Sequence, residues 1–352
     1  MPQFRIPAFG IFFLAFFSPL LLLGQGCPAC SNPNLPSSGK LIEDVDSIPK
    51  GYLSVSFNIM SAFGLQGGHL HNQGLDINNN IISVPVHRHE VSLNLYRALF
   101  SVNYSFKPNW STWIRVPYAI KEQTATIFDV DPVSIEEKEA ILKNGRTHHR
   151  TATYMGFHDL ELLVSHRKSG GFVTSKKRWD FAFGFSLPVG KTEIDPLKAK
   201  LEGKEHLHIQ FGSGTINPLA EIHYVNTIGK KVILSGFLMG KFPLYENKKT
   251  YKGPMTVTGG TNFIYKINNK IIVRNQISGY YQGLAHWDGQ TDPNTGIFVL
   301  NDLLGVALLF SNAPVINLGI RLPILQKILF TDGDAFNQTA TFLFDVNEVI
   351  KD

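Results

Sequence analysis

The chain has 352 residues, of which 43% are apolar and 17% charged, with a formal net charge of +5 at pH 7. A soluble enzyme of this size usually carries more charge, whereas a barrel in lipid averages apolar outward residues against polar inward ones, which gives the near-zero mean hydropathy found here. The only two cysteines, Cys27 and Cys30, lie three residues apart and exclude a disulfide framework for the fold, and the sequence holds no phosphate-binding loop, dinucleotide glycine fingerprint or nucleic-acid motif.

The chain opens with Arg5, an apolar run from Ile6 to Leu23 interrupted by Pro7, Gly10 and Pro19, and the small-residue site Gly24-Gln25-Gly26. This reads as a signal peptide over 1–26 and implies export. Cleavage after Gly26 leaves Cys27 first; a lipid on Cys27 is the alternative, although Gly24 and Gln25 fit a lipidation site poorly. Cys27-Pro-Ala-Cys30 then begins a Pro/Ser/Asn-rich periplasmic leader over 27–50. It reads as a local disulfide or, alternatively, as thiolate ligands for a soft metal such as Cu(I). No later segment is an apolar helix long enough to span a bilayer, so insertion after export must use strands.

From residue 51 the pattern alternates with period two. Trp179, Phe181, Phe183, Phe185, Leu187 and Val189 occupy one face of a segment whose other face carries Ala182, Gly184 and Ser186. The same alternation predicts strands near 52–64, 88–106, 111–124, 156–168, 179–190, 210–227, 231–243, 252–267, 270–284, 297–311, 314–326 and 336–346, followed by a tail over 347–352. Tight turns at Lys107–Trp110, Ile228–Lys230, Asn268–Lys270 and Ser311–Pro314 alternate with long connections, with 168–178 the poorest fit to a tight turn. Twelve strands with short turns on one side and long loops on the other predict an all-β, transmembrane antiparallel barrel over 51–346, its long loops outside the cell.

Parity assigns the facing. Leu160, Leu162 and Val164 turn to lipid, and Asp159, Glu161, Ser165 and Arg167 to the lumen; Ile271, Val273 and Ile277 oppose Arg274, Gln276 and Ser278. Arg115, Glu221 and His223 join the inward set, so the lumen lining predicted to set selectivity is Arg115, Asp159, Glu161, Arg167, Glu221, His223 and Arg274. These charges equally fit mutual pairing that fills the barrel. The strand 88–106 changes parity between Val91/Leu93/Leu95 and Phe100/Val102/Tyr104/Phe106, which calls for a bulge near Tyr96–Leu99 or an extension beyond the membrane.

The outer loops carry His69-Leu-His71, His87-Arg-His89 and His206-Leu-His208, with His148-His149 and His286 in other loops. Residues two apart on an extended segment point the same way, so each pair offers two imidazoles to Cu or Zn, and Cys27 and Cys30 extend the candidate metal set. Solvated loop histidines or a pH-sensitive mouth are the other readings. Asp129, Asp131 and Glu136–Glu139 are crowded carboxylates that read as a solvated loop with a short helix around 134–143. His158 and His166 share parity with lipid-facing leucines, but no serine motif marks a nucleophile, so no enzyme activity is expected.

Gly156-Phe-His-Asp159-Leu160-Glu-Leu-Leu-Val-Ser-His-Arg167, Leu187-Pro-Val-Gly190 and Gly212-Ser-Gly-Thr-Ile-Asn-Pro218 resemble the phenol-degradation MetA-pathway outer-membrane proteins from about residue 90 onward. The resemblance implies a transporter-like barrel for small, often hydrophobic or aromatic compounds. The ending Asp345-Val-Asn-Glu-Val-Ile-Lys-Asp352 departs from the terminal aromatic residue usual for such barrels. The expectation is thus an outer-membrane channel for a small solute, with lipid and that solute as partners; a Cu/Zn-binding barrel and a plugged structural barrel are the alternatives.

Overall fold

The computed structural model describes residues 48–128, 132–148, 150–170, 175–202, 204, 210–310, 313–329 and 336–351. Its elements in chain order begin with β1 (Leu53–Leu75), β2 (Ile81–Lys107), β3 (Trp110–Phe128), α1 (Ile135–His148), β4 (Ala152–Phe157), β5 (Leu160–Gly170), β6 (Ser175–Leu187) and α2 (Pro196–Leu201). They continue with β7 (Asn217–Ile228), β8 (Val232–Lys241), β9 (Tyr251–Lys252), β10 (Thr256–Lys266), β11 (Ile271–Gln282), β12 (His286–Trp287) and β13 (Gln290–Thr291). The last four are β14 (Ile297–Phe310), β15 (Ala313–Ile328), β16 (Phe336–Asn337) and β17 (Thr341–Lys351).

The twelve long strands form one antiparallel sheet in the order β1-β17-β15-β14-β11-β10-β8-β7-β6-β5-β3-β2, with β4 continuing β5 upward along β3. Because β2 also pairs with β1, the sheet closes into a barrel without a free edge. Closure pairs each of the twelve long strands on both sides within the chain, which the bilayer core demands. The outer surface is the expected apolar face: Phe57, Phe100, Ile114, Phe183, Phe185, Leu238, Phe263, Leu304, Leu318 and Phe342 are exposed. Trp110, Trp179 and Tyr265 add aromatic side chains near the turn end, where amphipathic rings favour the interface.

The tight turns have local causes. Asn109 (φ 62°) and Gly229 (φ 62°) take the left-handed conformation that closes two of them, and Asn268 Oδ1 accepts from Lys270 N (2.8 Å) and Ile271 N (2.9 Å) in a third. The β5–β6 connection shortens to 171–174 and lies outside the described residues, as do residues 1–47, on which the expected signal peptide and most of the expected leader fall. Ile48, just before β1, exchanges hydrogen bonds with Asn109 and so docks on the β2–β3 turn.

Three expectations are corrected. First, of the two readings of the parity switch in β2, the bulge is excluded and the extension beyond the membrane holds: Val91, Leu93, Leu95, Arg97, Leu99, Ser101 and Asn103 are all buried on one face, and the β2–β3 register runs unbroken past Tyr96–Leu99. The strand's 27 residues span about 90 Å, far more than a bilayer ~30 Å thick, so its upper part stands outside the membrane and has no need of outward apolar residues. Second, β17 pairs through Lys351, so 347–351 belong to the barrel wall and do not form a tail. Third, the strand expected from residue 210 begins at Asn217, and 210–216 instead lie across the inside of the wall.

Outside the barrel, α1 extends the expected helix. Ser134 Oγ accepts from Glu137 N (3.2 Å) while Glu137 Oε2 accepts from Ser134 N (2.8 Å), a reciprocal cap that explains the early carboxylates. The helix packs Ala140 and Ile141 on Val84 of β2. A small sheet of β13, β12 and β9 buries Trp287 against Tyr251, with Ala285 and Leu197 beside them.

Candidate functional site

The barrel interior is divided into levels. Highest is an apolar wall from β1 and β2: Met60, Ala62, Leu65, Leu93 and Leu95 are at most 2% exposed and pack with Phe336. Cross-strand pairing places Leu65 opposite Leu93, Ala62 opposite Leu95 and Met60 opposite Arg97, so the apolar wall ends downward on a guanidinium.

At mid-height lies an ion network. Arg115 of β3 reaches past β5 and β6 to Glu221 of β7, with Nη2 donating to Oε2 at 2.9 Å and Nη1 donating to Oε1; Nη1 also donates to Glu161 Oε2 of β5 at 3.3 Å. His223 Nε2 is 3.2 Å from the same Glu221 carboxylate, and Arg115 lies 5.4 Å from the Trp113 ring centre. Four of the predicted lumen residues, Arg115, Glu161, Glu221 and His223, are therefore brought together. Removing both carboxylates from water is tolerable because the fork of one guanidinium serves them both.

The other three lie elsewhere. Arg167 pairs with Asp180 at 2.7 Å near the turn end, beside Arg178. Arg274 fits against Gly305 and Gly319 on the opposite wall; a Cβ on Gly305 would stand 2.6 Å from Arg274 Nε. Asp159 anchors a loop: its Oδ2 accepts from Ser213 N (2.9 Å) and Ser213 Oγ, and its Oδ1 from Gly190 N (3.3 Å).

Asp159 owes that position to an irregularity hidden in the sequence. Tyr118 pairs with Phe157 and Arg115 with Glu161, so β4–β5 spends one residue more than β3 over this stretch. The bulge turns both His158 and Asp159 inward, and His158 packs buried against Phe211, contrary to the lipid-facing parity expected of it. His166 keeps the expected facing and packs on Trp110, the ring centres 4.5 Å apart and the planes tilted by 31°.

Parity alone did not single out the remaining inward cations. Lys121 of β3 is 1% exposed, donates to Gln210 O (3.3 Å) and sits 4.5 Å from the Phe211 ring centre. Arg97 and Arg321 flank Met60; Arg321 Nη2 lies 2.9 Å from Met60 Sδ. An uninterrupted odd parity along β2 would have placed Arg97 inside.

The outer histidines divide likewise. His69 pairs with His89 and His71 with His87 across β1–β2, on the face that continues the lumen wall, with ring centres 4.8–5.9 Å apart. Even so, among the described residues no group of three or more His, Cys, Asp or Glu is arranged to hold a metal ion. His148 ends α1, His286 lies in the separate small sheet, and His149, His206, His208, Cys27, Cys30, Asp129 and Asp131 fall outside the described residues.

No protein-family model and no curated protein matches the chain. Among solved structures, an outer membrane channel from Pseudomonas putida F1 superposes with a TM-score of 0.54 at 10% identity, covering 88% of this chain and 98% of that one. At that identity the likeness establishes the fold alone. A Pseudomonas aeruginosa FadL homologue aligns with a TM-score of 0.38 and 9% identity, over 85% of this chain and 90% of its own. A TodX monoaromatic hydrocarbon channel variant aligns with a TM-score of 0.41 and 8% identity, over 86% and 91%. Both superpose too loosely to carry an argument. A closed antiparallel barrel with an exposed apolar band is the architecture of the bacterial outer membrane, and the chain is an outer-membrane β-barrel.

Proposed function

We propose that the barrel is a channel for small hydrophobic solutes, aromatic ones included, and carries out no covalent chemistry. The observation that carries this reading is the apolar inner wall of Met60, Ala62, Leu65, Leu93, Leu95 and Phe336. A pore for ions or sugars gains nothing from an apolar lining, whereas a hydrophobic solute leaving water gains about 25 cal/mol for each Å² it buries there. Below this wall the Arg115–Glu161–Glu221 network narrows the route for hydrated ions. The resemblance to phenol-pathway outer-membrane proteins and the fold shared with an outer membrane channel point the same way, by analogy.

Uptake by a Gram-negative host without its own hydrocarbon channels tests the proposal. Expression should speed entry of labelled toluene and leave entry of a disaccharide unchanged; equal acceleration of both, or of neither, would overturn it.

A further inference from the structure

Among the described residues of the interior, one buried cation has nothing to bond. Arg97 is 4% exposed, and none of its three guanidinium nitrogens has a hydrogen-bond partner. The neighbouring carboxylate that acts on it, Glu161, already accepts from Arg115. Arg321, 9% exposed, lies on the other side of Met60 with the thioether as its near contact, and it also acts on Arg97 as a like charge. Arg97 thus has a like charge, Arg321, beside it and a carboxylate neighbour that Arg115 already occupies. Asp159, the next carboxylate, is engaged by Ser213 and Gly190.

A buried guanidinium without an acceptor is costly, and a planar two-oxygen anion is the group that its donor fork matches. The position of Arg97 narrows the ligand further. It stands at the lower edge of the apolar wall, paired with Met60 and two residues from Leu95. Anything bound there meets hydrocarbon above and guanidinium below.

We propose that Arg97, assisted by Arg321, binds the carboxylate of a small amphipathic acid whose apolar or aromatic body lies on the Met60–Leu65–Leu93–Leu95 wall. This rests on the channel reading and names its solute class: organic monoacids in preference to neutral hydrocarbons or hydrophilic anions. Arg97 holds the anionic end, the wall discriminates the body, and Arg115 stays committed to its own two carboxylates.

The test uses the full chain refolded in detergent, with benzoate, toluene and acetate as probes. Titration calorimetry should show benzoate binding at least about tenfold more tightly than either toluene or acetate, since each of those lacks one half of the recognition. Arg97→Met should lose benzoate binding by tenfold or more. It should also unfold at higher urea than the wild type without ligand, because the substitution removes an uncompensated buried charge; that second readout separates loss of recognition from loss of fold. Benzoate bound equally by Arg97→Met, or benzoate no tighter than toluene, would overturn the inference. Toluene uptake in cells reports separately on the channel reading: uptake of toluene without benzoate binding defeats this inference alone, and failure of both defeats the channel reading as well.

Discussion

Replacing Arg115 with methionine should be the most damaging single change in the barrel interior, and neutralising its partners should reverse most of the damage. Arg115 serves Glu161 and Glu221, whose side chains are 2% and 3% exposed. Removing it leaves two carboxylates in a site that water does not reach, with His223 beside only one of them. Loss of one partner from a buried ion pair costs about 3–5 kcal/mol, and here two acids are stranded, so Arg115→Met should fall at the upper end of that range. The triple variant Arg115→Met, Glu161→Gln, Glu221→Gln leaves no charge at these three positions and keeps similar volume, and should recover most of the loss, falling short of the wild type by what Arg97 loses with the Glu161 charge. Urea unfolding of the refolded barrel in detergent, followed by tryptophan emission, measures both. A cost below about 1 kcal/mol for Arg115→Met would refute the argument, as would a triple variant no more stable than the single one, since packing around the arginine rather than its charge would then dominate.

Leu93→Asn should cut toluene uptake tenfold or more while the barrel still folds, because one leucine on the inner wall offers about 1.5–3 kcal/mol of apolar contact; unchanged uptake would place the solute route elsewhere. Phe183→Arg, on the lipid-facing side of β6, should destabilise by about 2–4 kcal/mol in a bilayer, and refolding into vesicles across a urea series would show it. Asp159→Ala removes the acceptors for Ser213 and Gly190, about 1.5–3 kcal/mol for each charge-assisted bond, and should make the 190–213 segment cleavable by added protease under conditions that spare the wild type. Burial raises the Asp292 carboxyl above its ordinary range, against hydrogen bonds from Asn294 and Trp287 that lower it. The folded state therefore holds that proton more tightly than the unfolded one, and its stabilising contribution is present at low pH and lost as pH rises through the folded value. Hydrogen exchange in the Tyr251–Trp287 sheet should quicken over that interval, and Asp292→Asn should flatten the dependence.

Parity along the strands was readable wherever the outward side meets lipid, and it correctly set Arg115, Glu161, Glu221 and His223 inside. It failed in two places, for one physical reason each. Along β2, Leu93 and Leu95 are apolar because they build an inner wall, so apolarity no longer signals lipid, and the inward facing of Arg97 is hidden with theirs. At His158–Asp159 a single extra residue reverses facing, and no residue type announces it. Asp159 then reads as a lumen charge although the fold uses it to hold a loop.

The period-two alternation by itself determined an all-β outer-membrane barrel of twelve strands with its short turns on one side, because lipid outside and polar groups inside leave strands no other closed solution. Only the tertiary structure decided which inward groups meet. Arg115 and Glu221 are 106 positions apart in the chain and separated by two strands in the sheet, and what joins them is wall curvature, a property of the closed barrel that no local stretch of sequence contains. The same curvature sets Arg321 across from Arg97 around Met60 and leaves Arg97 without an acceptor of its own.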